Sequence, residues 1–144
     1  TMLNFARPWQ MRTWARMHMN RKPIHPPGAA KPLAPYTPAI EHNGVIYLSG
    51  QIALRGDTGE LVMDTIEAET TQVMENIGLL LRAAGLGYDD LLKVTILLSD
   101  MSHYGAVNTV YGTYFKDAPP AREAFAVKGL PRGVNVEISG IAGR

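Results

Sequence analysis

Two residues in this chain, Arg122 and Glu137, combine a chemically useful type with an unusual setting. Arg122 follows Pro119-Pro120-Ala121 directly, and the double proline fixes the chain's approach while removing two backbone donors. It opens an extended stretch from Ala121 to Lys128. Glu137 interrupts a second stretch, Val134 to Ala142, in which Val134, Val136 and Ile138 fall on one face and Asn135, Glu137 and Ser139 on the other. Between them, Gly129-Leu130-Pro131-Arg132-Gly133 carries a turn signature. A planar guanidinium pairs bidentately with a carboxylate, and a carboxyl can orient a water and move its protons. On neighbouring strands the two make either a small polar site or one structural ion pair. Physics alone favours the ion pair.

Composition narrows the chemistry. At 144 residues the chain fits one domain with a sizeable core. A net charge of +1 with 19% charged residues provides no basic field of the kind that binds nucleic acid. No apolar run approaches the roughly 20 residues that span a bilayer. The absence of cysteine excludes disulfides, thiolate catalysis and zinc–cysteine sites, and fits a reducing compartment. His18, His25, His42 and His103 lack metal-ligand spacing. No metal is expected.

The elements that must position Arg122 and Glu137 are legible in order. Lys31 to Ile40 is proline-rich and extended. Ala39 to Glu41 and Val45 to Gln51 flank His42-Asn43-Gly44, and Asn-Gly between apolar runs signals a tight hairpin. Gly50, at the end of the second strand, permits close backbone approach to another strand or to a ligand, two readings of equal weight. Gly56-Asp57-Thr58-Gly59 is a turn. Asp64-Thr65-Ile66-Glu67 reads as a capping box. It precedes an apolar stripe of Ile66, Thr70, Val73, Ile77, Leu80, Leu81 and Ala84, closed by Gly85. Leu91 to Leu98 is nearly continuously apolar, the pattern of a strand buried on both faces. Asp100 or Ser102 caps a second helix whose stripe is Tyr104, Val107, Tyr111 and Tyr114. The order implies an α+β domain, a mixed β-sheet with two helices packed on one face. The other face then meets water or another subunit.

Several short motifs together resemble the reactive-intermediate (imine/enamine) deaminase family, also called Rid or YjgF-like. They are Pro-Ala-Arg at 120–122, Leu-Pro-x-Gly at 130–133, Val-Glu-Ile-x-x-Ile-Ala at 136–142, Ser-Gly-Gln-Ile at 49–52 and Ala-Val-Asn-x-x-Tyr at 106–111. Pro35-Tyr36-Thr37-Pro38-Ala39 is similar to the family's Gly-Pro-Tyr-Ser-x-Ala segment, with Thr37-Pro38 where Ser-Gln is commoner. The resemblance covers residues 21–144 as a single domain and leaves 1–20 as an extension outside it. It implies a chorismate-mutase-like homotrimer whose sheets form a barrel-like centre, with active sites in the clefts between subunits. It also implies hydrolysis of 2-enamine and 2-imine acids, such as 2-aminoacrylate and 2-iminopropanoate, to a 2-oxo acid and ammonia. Arg122 would anchor the substrate carboxylate, Glu137 would orient the attacking water, and Tyr36 matches the family's active-site tyrosine. Ser49, Gly50 and Asn108 would complete substrate binding. Without the flanking match, Tyr36 reads as a half-buried ring with a wet hydroxyl, and Asn108 as a solvated helix residue.

Such substrates hydrolyse in water unaided, so positioning and proton transfer suffice and no cofactor is expected. One residue departs from the family pattern: Glu123 follows Arg122 where Ser is common. On an ideal strand it points to the opposite face; turned inward, it would neutralise Arg122. A non-catalytic ligand- or partner-binding trimer is the alternative, and ribonuclease or translation-inhibitor activity, reported for relatives, is disfavoured by the near-neutral charge. Nucleic acid and membrane partners are not expected, and the location is read as cytoplasmic. Residues 1–20 hold Arg7, Arg12, Arg16, Trp9 and Trp14 and no acid. They fit a transit-like segment, which would make the location organellar, an upstream extension with Met19 as the usual start, or a cloning remnant. If ordered, they should dock on their own or a neighbouring subunit.

Overall fold

The Asn43-Gly44 turn behaves as its sequence demands: both residues take positive φ, 52° and 82°. They join β2 (Ala39–His42) to β3 (Val45–Gln51) in antiparallel register, His42 opposite Val45. The structure, a computed structural model, describes residues 20–144. The expected docking of residues 1–20 therefore lies outside the described residues, Asn20 excepted.

The remaining elements are β1 (Arg21–Ile24), α1 (Ile66–Ala83), β4 (Leu91–Leu98), α2 (Tyr104–Gly112), β5 (Ala121–Ala126) and β6 (Val136–Gly143). The six strands form one mixed sheet in the order β1-β2-β3-β6-β4-β5. Only β4 and β5 run parallel, because α2 carries the chain back between them. β1, for which the sequence carries no clear strand signal, is an edge strand, where Pro23 can be accommodated.

α1 begins one residue later than the expected capping box. Thr65 is the N-cap, its hydroxyl accepting from Ala68 N at 3.0 Å. Counted from Thr65, the third helical residue is Ala68, so the reciprocal acidic partner is missing. At the other end Gly85, at φ 73°, donates to Arg82 O, and Leu86 donates to Leu81 O, a Schellman closure. Val73, Ile77, Leu80 and Leu81 are buried as the stripe predicts. Each contributes roughly 1.5–3 kcal/mol relative to an exposed side chain. They pack on Ile46 and Leu48 of β3, Val94, Ile96 and Leu98 of β4, and Val136 and Ile138 of β6.

β4 differs from its expected double burial. Val94, Ile96 and Leu98 face the helices, but Leu92 on the other face is 56% exposed. Both helices cover the same side. The open side presents Tyr47, Leu92 and Phe125 among polar residues. Among the described residues no helix is long and apolar enough to cross a membrane.

Candidate active site

The register separates the two residues that the sequence brought forward. Arg122 pairs with Val94 across β4–β5, and Val94 faces the helices. Glu137 pairs with Leu97 across β4–β6, one position out of phase, and so faces the open side. β4 lies between β5 and β6. The expectation of neighbouring strands is thus corrected. Within one chain Arg122 and Glu137 form neither an ion pair nor a shared pocket, because a whole strand and the thickness of the sheet part them. A parallel crossover inserting β4 between them is a topological fact that no local spacing records.

Each residue has its own surroundings. Arg122 lies against α2, donating from Nη2 to Tyr104 Oη at 3.2 Å. Its guanidinium carbon is 5.7 Å from the centre of the Tyr104 ring and 5.0 Å from that of Tyr111. Two aromatic faces hold the cation by quadrupole attraction. Glu123 does not neutralise it. Its carboxylate sits on the open face, accepting from Thr95 Oγ1 at 2.9 Å and pairing with Lys93 Nζ at 3.0 Å. The hydrogen bond from Lys93, followed by that from Thr95, holds the Glu123 carboxyl below its usual range.

Tyr104 departs from the expected apolar stripe: it is exposed, whereas Val107 and Tyr111 are buried. Asp100 caps the short turn Met101–His103 that leads into α2, accepting from Ser102 N at 2.8 Å. Asn108 shares the helix face of Tyr104 and Tyr111. Its Oδ1 and the Tyr111 hydroxyl are buried with no partner among the described residues. Burial pushes the Tyr111 hydroxyl up to about 12, so it stays protonated.

The second cluster surrounds Glu137. A cavity of about 310 Å³ is lined by Tyr36, Ser49, Gly50 and Glu137 and by apolar Leu33, Ala34, Ile52 and Pro131. Desolvation raises the Glu137 carboxyl above the ordinary glutamate range. Gly50 sits at an irregularity in the β3–β6 register, and a Cβ there would overlap Glu137 Oε1. The glycine is what lets the carboxyl lie across β3. Ser49 donates its hydroxyl to Thr37 O at 2.6 Å, pinning the segment that carries Tyr36. Tyr36 itself is 44% exposed at the cavity mouth.

Glu69 falls on the same helix face as Ile66, Thr70 and Val73, where its charge makes it the one acid on the apolar stripe. It is fully buried, and its carboxylate accepts from Asn135 N at 2.7 Å, Val136 N at 3.2 Å and Asn135 Nδ2 at 3.0 Å. Ser99 Oγ donates to Asn135 Oδ1 at 3.0 Å, closing the network just before Glu137. An acid placed on the apolar stripe was the available signal.

The described residues thus form two separate clusters. Arg122, Asn108, Tyr104 and Tyr111 sit on the helix side, and Tyr36, Ser49, Gly50 and Glu137 on the open side. Comparisons with known proteins agree with the fold that carries them. A sequence profile described as Endoribonuclease L-PSP matches residues 27–143. The mouse protein named 2-iminobutanoate/2-iminopropanoate deaminase is 42% identical over 122 residues, spanning 85% of this chain and 90% of its own. The crystal structure of the Rid-family protein YyfA from Yersinia pestis superposes with a TM-score of 0.83 at 41% identity, covering 86% of this chain and 99% of that one. E. coli TdcF with bound serine gives a TM-score of 0.82 at 29% identity, covering 85% and 98%. Motifs, register and likeness along the same residues converge, and the chain belongs to the YjgF/Rid family.

Proposed function

We propose that the protein is a hydrolytic deaminase of short 2-imino and 2-enamino acids, working as a homotrimer whose sites lie between subunits. The observation that carries this reading is the division of Arg122 and Glu137 onto opposite faces of one sheet. A substrate anchored by one and attacked with help from the other needs the helix side of one copy against the open side of the next. The partly apolar open face, with Tyr47, Leu92 and Phe125 exposed, supports such an association. Relatives named as imine deaminases, and one that binds serine, support a small amino-acid-derived ligand.

In this reading the Arg122 fork, held by Tyr104 and Tyr111, takes the substrate carboxylate. Glu137 accepts a proton from water as the water oxygen bonds to C2 of the imine. It returns that proton to the nitrogen, giving the carbinolamine. The new C2 hydroxyl then passes its own proton through Glu137 to the nitrogen as the carbonyl forms and the C–N bond breaks, leaving the 2-oxo acid and ammonia. The raised carboxyl suits this exchange, since a more basic carboxylate takes the proton more readily. Tyr36 closes the wall beside it, and Asn108 offers its unpartnered oxygen toward the substrate nitrogen. The profile's description as an endoribonuclease transfers less well. Binding of a polyanion depends on clustered cations, and the net charge here is +1.

The direct test is ammonia release from freshly generated 2-aminoacrylate/2-iminopropanoate. Wild type should exceed buffer hydrolysis severalfold or more, with Arg122→Ala and Glu137→Gln both impaired. A wild-type rate equal to buffer would leave the non-catalytic trimer as the better reading.

A further inference from the structure

Tyr104 stands at the start of α2 with 37% of its surface exposed, yet its hydroxyl oxygen is engaged by Arg122 Nη2. A phenol whose oxygen accepts in this way still has its own proton to donate. No protein acceptor for that proton occurs among the described residues. Next to it the guanidinium is bracketed by the Tyr104 and Tyr111 rings, so its fork has a fixed direction. On the same helix face Asn108 Oδ1 and the Tyr111 hydroxyl are buried and, among the described residues, unpartnered. A buried polar group left in this way has lost its water without gaining a bond in exchange. A cation fixed by stacking, with unused polar capacity around it, is a place where a ligand completes the bonding.

We propose that Tyr104 is a ligand-binding residue. Its hydroxyl proton and the Arg122 fork grip the two oxygens of one planar carboxylate, that of a short 2-oxo or 2-imino monocarboxylic acid. One cation and one neutral donor match the single charge of a carboxylate better than the double charge of a phosphate. The proposal deepens the deaminase reading and rests on its assignment of Arg122 as the anchor. The same bond also fixes which guanidinium edge is free, since one Nη2 hydrogen is committed to Tyr104.

Calorimetric binding of 2-oxobutanoate to wild type, Tyr104→Phe and Arg122→Ala separates the two claims. Tyr104→Phe keeps the ring, the stacking and the helix start, and removes only the hydroxyl. Its Kd should rise about tenfold, with KM for the imine rising in parallel and kcat within about twofold, as expected for a contact made equally in ground and transition states. A purely structural hydroxyl would instead lower the unfolding midpoint and leave Kd unchanged, and that result overturns the proposal. Unchanged Kd for Tyr104→Phe alongside lost binding in Arg122→Ala removes the hydroxyl's role but keeps the anchor. Unchanged binding in both variants removes the anchor, and the Tyr104 proposal with it.

Discussion

Glu137 is held where its charge is poorly solvated, and the same burial has two measurable consequences. The folded state disfavours its ionised form, so its carboxyl titrates above the unfolded value. The neutral form incurs no such penalty, so the destabilisation is absent below the ordinary glutamate range. It grows as pH rises toward the folded value, because the folded state there binds more protons than the unfolded one. Glu137→Gln should therefore raise the unfolding free energy at neutral pH, by no more than about 1 kcal/mol given its partial exposure, with the gain vanishing in acid. The same variant should lose about 10²-fold or more in kcat with little change in KM. In wild type, the acid limb of kcat/KM should lie above the usual glutamate range. Gly50→Ala makes a paired prediction: the new methyl displaces Oε1, so kcat should fall by up to about 10²-fold while Arg122-dependent ligand binding persists.

The elements show which parts of this were legible. The Asn43-Gly44 hairpin, the Gly85 closure and the α1 stripe could be read because each depends on neighbours within a few residues. β4 misled because an apolar run records hydrophobicity and not what covers it; one face meets helices and the other is left open in the single chain. Arg122 and Glu137 were identifiable as unusual, but their placement on opposite faces follows from β4 entering between β5 and β6, which is non-local. The Glu69 network is non-local too, joining α1 to the start of β6 across the core. Glu69→Ala leaves the buried Val136 N–H, the partly buried Asn135 N–H and the Asn135 amide without their acceptor, so urea denaturation should show a loss of about 3 kcal/mol or more. Thr65→Ala removes only the α1 cap and should cost about 1 kcal/mol.

At the scale of the whole molecule, one sheet with helices on a single side carries Arg122 and Glu137 on opposite faces. Light scattering should report a trimer, and variants that break it should lose activity while keeping their secondary structure. The central claim is that Arg122 of one copy works with Glu137 of the next, and subunit complementation tests it most directly. Arg122→Ala and Glu137→Gln, each nearly inactive alone, would be co-assembled in equal amounts and assayed for imine hydrolysis. Random assembly places two intact halves at about a quarter of the interfaces, so the mixture should recover about a quarter of wild-type activity. If the mixed assembly stays as inactive as either parent, the two residues do not meet across subunits, and the account is contradicted.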